Sequence, residues 1–474
     1  MNFKNIFLLT FFLFINTFNY AQEPATFVEE LHDYLHELEE QGDFNLNILL
    51  AKDGTVLIEE AFGIANRNDN IPNQLDTRFN IASIGKLFTA TAIIKLQEEG
   101  QLDLNNLVGD YLPDFPNKAI RDSIYIYQLL CHTSGLNVFF SPEFVTGAKY
   151  QYRQLDDYLP LFENLKLEFP PGSQFSYSNP GYIILGLIVE AVTGSTYADY
   201  VRKHIFRPAN MQSTDNYLLN DIIPNAAIGY VRPQSPEDPW RSNAHINMAG
   251  TSAGGAYSTV GDLYKFSDAL YNGKLMSQLG FYQMLIQGSD RPGNEQYGYG
   301  LSIEKINGHY ILGHTGGFYG VRGELLIYED LGYTLVLLAN TDQTDYIDVS
   351  YFVKTMLTAT EAEKINYQGT QKLIKQFYEL GLDKTEIPKS FEADPVLLEI
   401  KAYHFLNQGA VSKGIELLQL SAYCFPEDPA SYINLANAYL KTGNKTSAIL
   451  ELEKGLLIAP DNAEIINQLE GLKE

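Results

Sequence analysis

The chain has 474 residues, a net charge of −25, and 45% hydrophobic against 19% charged residues. That length accommodates two or three domains, and so much apolar material supplies cores and excludes a disordered chain. With 33 Lys and Arg against 58 Asp and Glu, no basic stripe is available to neutralise phosphates, so nucleic acid is excluded as a partner.

The N-terminal stretch MNFKNIFLLTFFLFINTFNYAQ sets Lys4 before an apolar run from Ile6 to Ile15 and a small residue, Ala21. This three-part pattern predicts a secretory signal peptide over residues 1–21. The run falls short of the ~20 residues that span a bilayer, which weakens a membrane-anchor reading. No cysteine follows it, which removes the simplest lipoprotein reading, and no later segment has spanning length. The expected protein is exported, periplasmic or secreted, with no transmembrane segment once the signal is removed. Export would permit a disulfide, but Cys131 and Cys424 fall in different predicted domains and nothing requires one.

ATFVEELHDYLHELEEQG then predicts an amphipathic helix. It carries His32 and His36 at i, i+4, but no H-E-x-x-H pattern, so a solvated face is expected and no metal. NLNILLA and TVLIEEAFG read as strands joined by a tight turn at Lys52-Asp53-Gly54. From about residue 83 to 275 helical periodicity dominates, as in YIILGLIVEAVTG. Near residue 299 strands return: YGLSIEKI, HYILGH, GELLIYE and YTLVLLAN, separated by Asn307-Gly308, by a glycine-rich stretch and by Glu329-Asp330-Leu331-Gly332. The expected fold over 22–358 is mixed α+β. One antiparallel sheet is built from both ends of the domain and flanked by helices, with a mostly helical insertion and a ligand groove between them.

Residues 394–474 form a different pattern. Asp394-Pro395 recurs as Asp428-Pro429, Gly409 as Gly443, Ile415 as Ile449 and Pro426 as Pro460, each 34 residues apart. A 34-residue period with two helices per unit is the tetratricopeptide (TPR) signature, so all-α, TPR-like repeats are expected. In the second copy Tyr432, Leu435, Ala436, Tyr439, Ala448, Leu452 and Pro460 fall where the repeat wants them. The first copy is looser, with Lys401 at an apolar position. Two units and a trailing helix from Glu464 to Leu472 fall short of the roughly three repeats that stand alone. The segment is therefore expected to dock onto the rest of the protein, helped by a helix near Gln371 to Tyr378 in a linker over 359–393. Such units ordinarily bind a peptide or protein partner; a scaffold that only buttresses its neighbour carries about equal weight.

The chemistry-bearing residues lie in the first domain. S-x-x-K occurs twice, as Ser83-Ile84-Gly85-Lys86 and Ser302-Ile303-Glu304-Lys305. The second sits in a predicted strand, where an odd offset sends the side chains to opposite faces. The first opens a predicted helix, FTATAIIKLQEEG, where an offset of three places hydroxyl and amine on one face. Alone, a serine at a helix start is ordinarily an N-cap. Downstream, however, come Tyr177-Ser178-Asn179 and then His314-Thr315-Gly316-Gly317.

In this order the three motifs resemble those of the serine β-lactamase and penicillin-binding protein superfamily. The likeness is greatest to the branch of class C β-lactamases, DD-peptidases and related esterases. LLCHTSGL (129–136) and SAGGAYSTVGDLYKF (252–266) are similar to stretches of that branch, and the likeness covers about residues 27–355. The resemblance implies a serine hydrolase in which Ser83 attacks an ester or amide and forms an acyl-enzyme, with Lys86 and Tyr177 as the base pair. Asn179 would orient Lys86 and contact the substrate. His314, Thr315, Gly316 and Gly317 would line the substrate site, and the N–H groups of Ser83 and Gly317 would form the oxyanion hole. The substrate would be a small acyl compound or peptide, and no cofactor or metal is implied.

Elementary chemistry agrees with these roles. A hydroxyl is a poor nucleophile until a base takes its proton. Lys86 desolvated on its helix would have a lowered pKa, and Tyr177 beside an ammonium one pulled below ~10. Which of them holds the proton at rest stays open. Gly316-Gly317 is expected to leave the strand edge open to substrate. His314 stands where the β-lactamase form carries lysine, and a neutral imidazole offers no fixed charge to a substrate carboxylate. Efficient β-lactamase action is therefore ranked below esterase or peptidase action. Arg322 either supplies the missing charge or, as preferred, is a strand-edge arginine in solvent. His132 is expected to brace a loop. The competing reading is a catalytically retired binding protein that uses the cleft and the TPR segment to hold a partner; the intact Ser83, Lys86, Tyr177 and Asn179 argue against it.

Overall fold

The computed structural model describes residues 23–137, 144, 147–233, 238–286, 288–291, 295–342, 345–381 and 392–473. The expected signal peptide and part of the expected linker lie outside the described residues.

Eight strands form one antiparallel sheet. β1 (Leu46–Lys52) and β2 (Thr55–Phe62) come from the start of the domain. Its end supplies β3 (Ser289–Asp290), β4 (Glu295–Tyr297), β5 (Ser302–Ile306), β6 (His309–Phe318), β7 (Val321–Tyr328) and β8 (Tyr333–Ala339). The order is β2-β1-β8-β7-β6-β5-β4-β3, so β1 pairs with β8 and joins the two ends of the domain. The tight turns follow from backbone chemistry. Asp53 and Gly54 (φ 47° and 83°), like Asn307 and Gly308 (φ 49° and 94°), are both left-handed, the geometry that two-residue hairpins with Asp-Gly and Asn-Gly adopt.

One expectation is corrected here. The glycine-rich stretch after His314 is no break between strands, because β6 runs on through Gly316 and Gly317 to Phe318, paired residue by residue with β7. Cross-strand pairing overrides the weak strand propensity of glycine.

Helices cover both faces of the sheet: α1 (Glu23–Glu40), α2 (Lys86–Glu98), α3 (Asn179–Thr193), α4 (Val260–Tyr271), α5 (Asp345–Thr358) and α6 (Glu361–Leu380). Alternate strand residues enter different cores. Leu49, Ala51, Val336 and Leu338 pack with α2, α3 and α4, whereas Ile48, Leu50, Leu335 and Leu337 pack with α1, α5 and α6. Burial on both faces explains why these strands read as continuous apolar runs. No single helix among the described residues is long and apolar enough to cross a membrane. Cys131 and Cys424 are free thiols.

Five helices complete the chain: α7 (Pro395–Asn407), α8 (Val411–Cys424), α9 (Pro429–Lys441), α10 (Lys445–Ile458) and α11 (Ala463–Lys473). α7 and α9 begin alike, each with an aspartate side chain accepting a first-turn N–H and a proline at the helix start. Leu397, Leu398, Leu406, Leu417 and Leu418 join the second core. Lys401 contacts the buried Asp348 carboxylate and donates to Tyr34 Oη at 3.0 Å. His404 meets Asp345 at 2.9 Å, and Tyr351 donates to Asp394 at 2.9 Å. The polar residue at an apolar repeat position is thus a docking contact.

Candidate active site

Ser83 lies in a 3-10 turn, Ala82–Gly85, that leads directly into α2. Ile81 caps the turn and Gly85 caps the helix, neither through its side chain. Ser83 is therefore not a capping serine. Its Oγ lies 3.2 Å from Lys86 Nζ and is hydrogen-bonded to the Tyr177 phenol. The turn is strained: Ala82 has φ +43°, a left-handed conformation that costs ~1–3 kcal/mol for a residue with a Cβ. Asn80 Oδ1 accepts the Ala82 N–H at 2.9 Å, and the Gly255 N–H donates to Ala82 O at 3.0 Å. Gly254 approaches so closely that a Cβ there would sit 2.3 Å from Ala82 O.

Lys86 is fully buried and reaches Asn179 Oδ1 and Ala253 O, each at 2.6 Å. Burial pushes its pKa well below the ordinary lysine value. A neutral amine has two N–H bonds and one lone pair. The two carbonyl oxygens take the N–H bonds, which leaves the lone pair for the Ser83 hydroxyl.

The expected lowering of the Tyr177 pKa is corrected. Burial raises it, and the Ser83 hydrogen bond and the charge of Arg291 offset this only in part. The expectation presumed an ammonium beside the phenol, but desolvation acts on both groups and favours the neutral form of each. Burial therefore favours a neutral Lys86 amine and a protonated Tyr177 phenol.

Tyr177 and Asn179 flank the helix-capping Ser178, whose Oγ accepts the Gly181 N–H at 3.2 Å. The Ser178 N–H donates to His132 Nδ1 at 3.1 Å, and the His132 ring centroid lies 4.3 Å from that of Tyr177. His132 thus braces the loop, and burial keeps it neutral.

The pairing of β5 with β6 ends at Ser302 and Gly313, so farther along β6 packs against the Ser83 turn instead. There one expected substrate contact, His314, is corrected. His314 is buried, donates from Nδ1 to Thr315 O and accepts from Tyr297 Oη at Nε2, 2.8 Å away. Burial above all pushes its pKa down to about 3. It is a neutral wedge beneath the site and does not line the cleft. Thr315 is exposed, on the same strand face as the cleft-lining Gly317.

The glycines divide their work. A Cβ on Gly316 would lie 2.3 Å from Ile81 O, so this glycine lets β6 close on the segment before Ser83 rather than opening the edge to substrate. Gly317 does line the cleft, with Asn80, Ser83, Asn179, Asn247 and Gly254. Arg322 is half-buried and donates to Phe318 O and Val321 O, which holds the β6–β7 turn instead of extending into solvent as expected. The strand copy of S-x-x-K is dispersed: Ser302 donates to Gly313 O, and Lys305 lies over the Tyr310 ring.

Sequence reasoning missed Ala253 O, Gly254, Asn80, Asn247 and Arg291. The first two lie in the stretch 252–266, which carried a likeness without a role; a main-chain carbonyl has no side-chain signature. Arg291, paired with Glu295 at 2.8 Å, extends its charge to Tyr177, His132 and His314.

The Beta-lactamase family model matches residues 35–353. Penicillin-binding protein 4* of Bacillus subtilis (strain 168) is 30% identical over 336 residues, 67% of this chain and 73% of that protein. Protein flp of Staphylococcus aureus (strain MW2) is 28% identical over 66% of this chain and 62% of its own length. A penicillin binding protein from Bacillus halodurans superposes with a TM-score of 0.63 at 32% identity, covering 68% of this chain and 99% of that one. The D-amino acid amidase from Ochrobactrum anthropi SV3, complexed with L-phenylalanine amide, superposes with a TM-score of 0.60 at 25% identity, covering 70% and 97%. The matched span holds the whole sheet and every residue gathered around Ser83, and the chain belongs to the Beta-lactamase family.

Proposed function

We propose that the protein is an exported serine hydrolase that forms an acyl-enzyme on Ser83 and hydrolyses an ester or amide of a small acyl compound or peptide. The observation that carries this reading is the buried Lys86 nitrogen, 2.6 Å from each of two carbonyl oxygens and 3.2 Å from Ser83 Oγ, so that a neutral amine would turn its lone pair to the hydroxyl. Lys86 takes the Ser83 proton as Oγ attacks the carbonyl carbon, and the carbonyl electron pair moves onto oxygen. The N–H groups of Ser83 and Gly317 receive that oxyanion; losing one such donor costs about 10²–10³ in rate. Collapse of the intermediate expels the leaving group, which takes a proton through the Tyr177 hydroxyl while the Lys86 ammonium restores the phenol. Water then attacks the acyl carbon by the same route, giving the acid and free Ser83.

The buried, neutral His314 favours esters and amides without an obligatory carboxylate over β-lactams. We assign the C-terminal helices the buttressing role, because their first pair is built into the second core. The test is turnover of nitrophenyl butyrate, a D-amino acid nitroanilide and a chromogenic cephalosporin, with Ser83→Ala as the blank. Ester or amide hydrolysis well above the cephalosporin is expected. A folded wild type that turns over none of the three overturns the proposal.

A further inference from the structure

We propose that α1 and β2 hold a divalent transition-metal ion, zinc by preference, between His32, His36 and Glu60. The two histidines share one face of α1, ring centroids 4.5 Å apart. Glu60 reaches them from β2, the edge strand of the sheet. His32 Nε2 lies 3.9 Å from one Glu60 oxygen, and His36 Nε2 lies 3.6 Å from the other. Both separations are too long for a hydrogen bond. They approach the roughly 3.3 Å between two ligands on a tetrahedral zinc bound at about 2.0–2.1 Å.

The far side of each ring also faces a carboxylate, with a hydrogen bond at His36. His36 Nδ1 lies 3.3 Å from Glu39 Oε2, and His32 Nδ1 lies 3.5 Å from Asp33 Oδ1. An imidazole whose Nδ1–H faces a carboxylate presents the Nε2 lone pair, the orientation that metal-bound histidines use. Two lone pairs then face one carboxylate, and a cation between them relieves the repulsion. Two imidazoles and one carboxylate form a zinc ligand set that leaves a position for water. The three side chains reach solvent, so an ion has direct access, and side-chain rotations draw the donors in to ligand distance. Bound there, it ties α1 to the sheet edge over the second core, where Leu31 and Leu35 of the same helix are fully buried. The sequence suggested only a solvated face, because Glu60 meets the pair through the β1–β2 hairpin and not at a helical spacing.

Isothermal titration of zinc chloride into the tag-free, chelator-stripped, full-length protein tests this, with thermal unfolding as the second readout. One equivalent should bind and raise the Tm. His32→Ala, His36→Ala and Glu60→Gln should each weaken binding at least tenfold and lose the Tm gain, with Ser83 labelling unchanged. Glu39→Gln, which touches no ion, should weaken binding by about 10- to 100-fold. Absence of saturable binding to the wild type, or binding kept within twofold in the folded His32→Ala/Glu60→Gln double variant, overturns the proposal.

Discussion

At Lys86, burial favours loss of the proton that a solvated lysine keeps, and the proposed catalysis turns on that proton. Protonation would fill the lone pair, so activity should be present above the folded-state pKa of Lys86 and lost as pH falls through it. Because burial lowers that pKa, the acid limb of kcat/KM should lie well below the ordinary lysine range. His314, with its pKa near about 3, should add no limb above that pH, so His314→Gln should leave the limb where it is. A limb that moves in this variant would reassign the titrating group. Lys86→Met should cost about 10²–10⁴ in acylation rate, read by stopped-flow on a nitrophenyl ester. The two glycines separate packing from chemistry. Gly316→Ala forces a Cβ against Ile81 O and should destabilise by ~1–3 kcal/mol in urea unfolding, whereas Gly317→Ala meets its first neighbour at 3.6 Å and should fold normally. Ser83 and Lys86 were legible from their helical offset, whereas Tyr177 and Asn179 were legible only through the family resemblance of the ordered motifs. The inward turn of His314 was not, since it depends on which strand face packs on the Ser83 turn.

Among elements, α7 shows how a sequence irregularity becomes a structural contact. Lys401 breaks the apolar pattern of the repeat because its ammonium meets Asp348, which is only 1% exposed, with Tyr34 donating to the other carboxylate oxygen at 2.7 Å. Lys401→Met leaves that carboxylate buried without its cation and should cost ~3–5 kcal/mol in chemical unfolding. Adding Asp348→Asn should recover much of the loss, and a double variant as unstable as the single one would show that the pair is not coupled. The hairpins were readable from Asp53-Gly54 and Asn307-Gly308, whose backbone needs are local. The continuation of β6 through two glycines was hidden, because strand pairing with β7 is a long-range property.

Across the whole molecule, the sheet divides the labour between its faces. One face packs the helices that carry Ser83 and Asn179, while the other anchors α1, α5, α6 and the first C-terminal helices. Removing residues 381–474 should therefore expose leucine-lined core and lower the Tm or the solubility, although no described residue of that segment lines the cleft at Ser83. An unchanged Tm would make the C-terminal helices a separate appendage. The layered architecture was legible from strands at both ends of the domain, and docking of the repeats from their small number, but no local pattern tells which apolar faces meet. Intact-protein mass spectrometry with peptide mapping, after incubation with a fluorophosphonate or with benzylpenicillin, tests the nucleophile most directly. One adduct on Ser83 is predicted, absent in Ser83→Ala and slowed in Lys86→Met; a folded wild type with no adduct, or with its adduct on another residue, would contradict it.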